Sequence, residues 1–198
     1  NRQSLRSLLG REGGIDRPHV YLMQPYDPNR RIIVMLHGLA SSPEAWVELA
    51  NEILGDEALR QHYQIWQVYY PTNMPVALNH AMIRRALGET LTHFDPSGQA
   101  PASSDLVLVG HSMGGVIARL MVSSTDQSLV QLAADHSRLT PQQIRRIDPM
   151  LRFEPFPNVS SAIFIAAPHR GTSVAGGRLG RWMAGFIRFP ITVLEELA

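Results

Sequence analysis

Asp105-Leu106-Val107-Leu108-Val109-Gly110-His111-Ser112-Met113-Gly114-Gly115 is the stretch on which the fold turns. A β-type run of Leu and Val stops at a glycine, a Gly-x-Ser-x-Gly pattern follows, and Val116-Ile117-Ala118-Arg119-Leu120-Met121-Val122 reads as a helix. Strand, tight turn with serine at its apex, then helix is the context a nucleophile elbow requires. The predicted turn holds Ser112 in a strained backbone conformation, and side chains at Gly110 and Gly114 would collide with the neighbouring strand and helix. Such a turn lifts the serine hydroxyl above the sheet edge and points a helix N-terminus at it, where backbone N–H groups and the helix dipole can stabilise an oxyanion. The bland alternative is a Gly-Ser turn inside an ordinary α/β domain.

Working outward, the 198 residues suffice for one domain with a substantial core. Hydrophobic content of 44% against 18% charged argues a globular chain. The formal net charge is +1 and no basic stripe alternates with aromatics, so nucleic acid is excluded as the expected partner. No apolar run approaches the ~18–20 residues of a membrane span. The chain opens on Asn1 without a leader pattern, so a processed or excised piece is expected and the compartment stays open. With no cysteine, disulfides, thiolate metal sites and a cysteine nucleophile are excluded. Every basic residue other than histidine is arginine, which removes Schiff-base lysines, a Walker lysine and a Ser–Lys dyad within these residues.

Residues 1–18 read as a polar lead-in broken by Gly13-Gly14, and 19–198 as the domain. His19–Met23 reads as an edge strand, and Ile32-Ile33-Val34-Met35-Leu36 as a central parallel strand buried on both faces. Ser42-Pro43-Glu44 begins a helix with serine as N-cap, Trp46, Leu49, Ala50, Ile53 and Leu54 recur at helical spacing, and Gly55 ends it. Tyr63–Tyr70 is an alternating strand, Val76–Phe94 a helix, and Asp95–Ser104 a surface loop. The helix after the elbow is expected to reach about Ala134. An irregular stretch over 135–158 follows, with a short helix opened at Thr140-Pro141 and Pro149, Pro155 and Pro157 preventing a long one. Val159–Ala166 reads as another buried strand. The segment 173–198 carries Leu179, Trp182, Met183, Phe186, Ile187 and Phe189 among arginines, and reads equally as the start of a cap or lid or as a core helix. Its basic amphipathic character over 178–198 also suits transient contact with a lipid surface.

Gly110-His111-Ser112-Met113-Gly114-Gly115, Leu36-His37-Gly38-Leu39 and the turn Pro168-His169-Arg170-Gly171 resemble the α/β-hydrolase superfamily, particularly its bacterial lipases and esterases. The resemblance runs from about Ile32 to Thr172. It implies a mostly parallel sheet flanked by helices, here truncated before its last strands. It also implies that the backbone N–H groups of Leu39 and Met113 form the oxyanion hole, that His37 and Gly38 order the oxyanion loop, and that His169 lines the acyl pocket. His111, inside the elbow, is expected to pack behind the serine.

A serine hydroxyl needs a base, and the base an acid that fixes its tautomer. In this fold the order is Ser, then Asp or Glu, then His. Only His136 and His169 follow Ser112. The expectation is that acid and base lie beyond Ala198, with His169 as the in-chain rival and Asp135, Asp148 or Glu154 as formal acids. His136 beside Asp135 reads as a solvated helix end. His19, His62, His80 and His93 have no metal-ligand spacing and read as surface or satisfied histidines, and Arg119 as a salt-bridge partner. No metal or organic cofactor is implied. The reading is a serine hydrolase cleaving carboxylic esters, of lipids or other small apolar molecules, through an acyl-enzyme on Ser112. The alternatives are an acyltransferase using the same site, a hydrolase-fold binding protein without turnover, and another hydrolase reaction such as amide, thioester or glycosylphosphatidylinositol-lipid deacylation. Oligomeric state is not encoded in any feature of the chain.

Overall fold

Ile32, Val34 and Leu36 pack on one side of the sheet and Ile33 and Met35 on the other, which is why this strand is an unbroken apolar run. The computed structural model describes residues 17–125 and 140–169. Five strands, β1 (His19–Leu22), β2 (Arg31–Leu36), β3 (Tyr63–Tyr69), β4 (Leu106–His111) and β5 (Val159–Ile165), form a sheet of order β1-β3-β2-β4-β5. β1 runs antiparallel to β3 at one edge, and the other pairings are parallel. The helices are α1 (Val47–Gly55), α2 (Glu57–His62), α3 (Val76–Phe94), α4 (Pro101–Ser104), α5 (Met113–Met121) and α6 (Pro141–Leu151).

The two faces have separate cores. Ile83 and Leu87 of α3 and Ile117, Ala118 and Met121 of α5 cover the face that carries Ile32, Val34, Leu36, Trp66, Val68, Leu106 and Leu108. Trp46 and Ala50, with Leu49, Ile53 and Leu54 beside them, cover Ile33, Met35, Ile65 and Val109 on the opposite face. The α/β architecture expected from the sequence is therefore present, with helices on both sides of a mostly parallel sheet.

Several local expectations are corrected. Along Tyr63–Tyr69 the polar Gln64 and Gln67 are as buried as their apolar neighbours, because β3 lies inside the sheet with helices on both faces. Gln64 is accommodated by donating through Nε2 to the carbonyls of Asp27 (2.6 Å) and Arg30 (2.7 Å). Ser42 does not cap a backbone N–H. Its hydroxyl donates to the Glu44 carboxylate, and the chain makes a 3₁₀ turn over Pro43–Trp46 before α1. The unforeseen α2 is nucleated by Asp56, whose Oδ1 accepts the Leu59 N–H at 2.9 Å.

Asp95–Ser104 is not simply a surface loop. Asp95 is buried, its carboxylate accepting the Ala100 N–H (2.9 Å) and the Ser97 hydroxyl (2.8 Å), and Ala102 and Ser103 of α4 are buried too. α5 stops at Met121 rather than near Ala134. Past it the Ser123 hydroxyl donates to the Arg119 carbonyl (2.7 Å), and Thr125 bridges to the segment after α6 through Leu151 O and Phe153. α6 spans eleven residues, Pro141–Leu151, and continues through Pro149. β5 is half-exposed rather than buried: Val159, Ala162 and Phe164 pack on the α3–α5 core, while Ile163 and Ile165 are 51% and 39% exposed on the other face. Among the described residues no helix is long and apolar enough to cross a membrane. The lead-in up to residue 16, His136 and the 173–198 segment lie outside the described residues.

Candidate active site

From β2 the chain moves outward to β3 on one side and to β4 on the other, so the loops leaving the carboxyl ends of β2 and β4 diverge. A crevice at such a switch point is where an open parallel sheet presents its ligand site. Leu36-His37-Gly38-Leu39 leaves β2 there, and His111-Ser112-Met113 leaves β4.

Ser112 sits at φ 52 and ψ −117, a conformation a side chain adopts only under constraint. The constraints are visible. Its N–H donates to the Ile165 carbonyl at 2.9 Å, and its carbonyl accepts the Gly115 N–H at 3.0 Å. A β-carbon on Gly110 would run into the Gly114 carbonyl, and one on Gly114 into the backbone carbonyls of Leu36 and His37. Strand, elbow and helix can meet at this spacing only with glycine at both positions. Gly115 plays a part not read from the sequence: its Cα faces the Ala167 side chain, seating the turn after β5 on the first turn of α5.

The His37-Gly38-Leu39 loop crosses directly over the serine, since a β-carbon on Gly38 would lie 3.2 Å from the Cβ of Ser112. Ser112 is half-buried, and its hydroxyl has no hydrogen-bond partner among the described residues. The N–H groups of Leu39 and Met113 are likewise unpaired among the described residues.

His37 is completely buried and stacked on Tyr70, with ring centroids 4.3 Å apart and 14° between planes. Its Nδ1–H donates to the Gly38 carbonyl (3.0 Å), and its Nε2 accepts the Tyr70 N–H (3.4 Å). Only the neutral Nδ1–H tautomer serves both bonds. Burial enforces that neutrality, lowering the His37 pKa to about 4. The Tyr70 hydroxyl, its pKa raised by burial, donates to the His37 carbonyl.

His111 does not pack behind the serine. It is exposed, edge-on to Trp46 at 6.5 Å, with Nδ1 2.9 Å from where a β-carbon on Gly38 would be. His169 is exposed at the end of the described chain, its ring edge-on to Phe164 at 4.8 Å and its N–H donating to the Ala167 carbonyl. Of the histidines expected to be satisfied or superficial, His62 is exposed and bonds the Ala58 carbonyl at 2.7 Å. His80 departs from the expectation: it is fully buried with neither ring nitrogen paired, packed on Phe153 at 4.3 Å. Burial, reinforced by Arg84, lowers its pKa to about 3. Arg119 is exposed and forms no ion pair among the described residues. No group of three or more metal-ligating side chains comes together among the described residues.

A mostly parallel sheet, a strained serine between strand and helix, and a glycine loop laid over it are the arrangement of the α/β-hydrolase fold. Residues 27–175 match the family described as "Putative serine esterase (DUF676)", and the chain belongs to that family. No curated protein matches it. Among solved structures it is similar to the Bacillus licheniformis lipase BlEst2. In the mature form identity is 19%, over 93% of this chain and 62% of that one, with a TM-score of 0.47. In the propeptide form identity is 21%, over 82% and 28%, with a TM-score of 0.45. Esterase 2 of the Planctomycetes species Thermogutta terrifontis is 18% identical over 76% of this chain and 48% of that one, with a TM-score of 0.47. The chain thus spans less than two thirds of each of these proteins.

Proposed function

We propose that the protein hydrolyses carboxylic esters with Ser112 as nucleophile. The observation carrying this reading is Ser112 itself, held at φ 52 at the N-terminus of α5 beneath the Gly38 loop. The Ser112 oxygen attacks the acyl carbonyl while a general base takes its proton. The carbonyl oxygen becomes an oxyanion between the N–H groups of Leu39 and Met113. Collapse expels the alcohol, which leaves with the proton returned by the base, and water then attacks the acyl-enzyme to release acid and free Ser112. In this reading His169 lines the acyl pocket rather than serving as the base, which its edge-on contact with Phe164 supports. The base and its acid are then supplied from outside the described residues. An apolar acyl group is the preferred substrate, on the strength of the apolar residues in 173–198.

The test is turnover of p-nitrophenyl butyrate and palmitate by the full-length protein and its Ser112→Ala variant. Hydrolysis that disappears in the variant is expected, with the longer chain favoured. A folded protein inert on both esters, or a Ser112→Ala variant as active as the parent, would remove the reading.

A further inference from the structure

The oxyanion loop is held by its own His37 ring and by two residues of the turn leaving β3, and each hold falls on a different peptide unit. The His37–Gly38 unit is gripped at its carbonyl by the Tyr70 hydroxyl. The Gly38–Leu39 unit is gripped at its carbonyl by the His37 ring. The Leu39–Ala40 unit is gripped at its N–H, which donates to Thr72 Oγ1 at 3.2 Å. These are successive peptide planes, and the one in the middle carries the Leu39 N–H.

A trans peptide points its C=O and N–H in opposite directions. Binding the Gly38 carbonyl to a ring buried in the core therefore turns the Leu39 N–H away from the core, toward the crevice. That orientation persists only if the neighbouring planes cannot rotate with it. Ala40 sits at φ 54, a left-handed conformation costly for a residue with a side chain. Its N–H would relax out of that turn without a fixed acceptor, and Thr72, 1% exposed, is fixed.

We infer that Tyr70 and Thr72, on the turn leaving β3, are positioning residues that aim the Leu39 N–H at the oxyanion. The inference rests on the reading of Leu39 as a donor in ester hydrolysis. Neither residue touches the reacting atoms. Tyr70 acts through His37, and Thr72 through Ala40. A loop freed to rotate binds the ground-state ester much as before and stabilises the transition state less, so the loss falls on kcat.

Thr72→Val, Thr72→Ser and Tyr70→Phe are compared in the full-length protein. Removing the acceptor in Thr72→Val should lower kcat about 10-fold or more, short of the ~10²–10³ for losing an oxyanion donor outright. KM should stay within about twofold, and labelling by a fluorophosphonate should slow in parallel, since the phosphonyl oxygen occupies the same hole. Thr72→Ser restores the acceptor and should restore kcat, Tyr70→Phe should lose about as much as Thr72→Val, and hydrogen exchange at Ala40 should quicken in Thr72→Val alone of the two Thr72 variants. Thr90→Val, which removes a comparable bond to the Ala86 carbonyl away from the loop, should leave kcat and labelling unchanged. A folded Thr72→Val protein with the parent kcat, or a Thr72→Ser protein as impaired as Thr72→Val, overturns the inference while leaving the esterase reading standing. A parent protein that neither turns over ester nor labels removes both.

Discussion

Gly38 and Ser112 face each other so closely that a β-carbon on the glycine would lie 3.2 Å from the Cβ of the serine and 2.9 Å from His111 Nδ1. His111 is exposed and can swing aside, whereas the serine is pinned by its own backbone bonds. Gly38→Ala should therefore push the loop by a few tenths of an ångström rather than unfold the protein. The expected result is a fall in kcat of about 10–100-fold with the urea midpoint little changed, since small displacements of an oxyanion donor weigh heavily on rate. Parallel losses of stability and activity would show that Gly38 serves packing alone.

Gly114→Ala should behave differently, because its β-carbon meets the backbone carbonyls of Leu36 and His37, which cannot give way without moving β2. Destabilisation of about 3 kcal/mol or more is expected. Gly88, on α3 with nothing within 4 Å of its missing β-carbon, is the control. Gly88→Ala should stabilise by about 0.5–1 kcal/mol through helix propensity. Urea denaturation of the three proteins reads both signs.

The backbone at Ser112 stores strain that glycine would not feel. Ser112→Gly should raise stability by about 1 kcal/mol while abolishing turnover, and Ser112→Ala should abolish turnover with no such gain. Thermal midpoints of the two variants against the parent make the comparison.

His37 and His80 predict acid instability. Their folded pKa values, about 4 and about 3, lie below the ordinary 6.5, so between these limits the unfolded chain binds protons that the folded chain refuses. Their contribution to stability is complete above the ordinary value and is lost as pH falls from 6.5 toward 4, by about 1.4 kcal/mol per pH unit for each histidine. His80→Leu, which removes two unpaired buried nitrogens, should flatten this fall and stabilise the protein more in mild acid than near neutrality. Urea midpoints across this window check the slope.

The elements easiest to read were those whose pattern is local. Ile32–Leu36 and Leu106–Val109 are unbroken apolar runs because both faces are covered, and Val76–Phe94 carries a helical stripe between prolines and a turn. The strand–Gly-x-Ser-x-Gly–helix context likewise marked the elbow in sequence. What stayed hidden depends on contacts made at a distance. The partner of Ala40 is Thr72, 32 residues away, and Tyr70 reaches His37 across 33, so neither leaves a periodic trace. His80 looks like a polar residue on an amphipathic helix, and its burial comes from Phe153, in a segment that folds back on α3. The end of α5 was missed because apolar spacing continues past Met121 in the sequence, while Ser123 and Thr125 take the chain out of the helix through side-chain bonds.

Covalent trapping of the serine tests the central claim most directly. The full-length protein is treated with a fluorophosphonate, digested, and the modified peptide sequenced by mass spectrometry, alongside the Ser112→Ala variant. A single adduct on Ser112, absent from the variant, is the predicted result. A folded protein that takes no adduct, or a variant that labels as well as the parent, would contradict it.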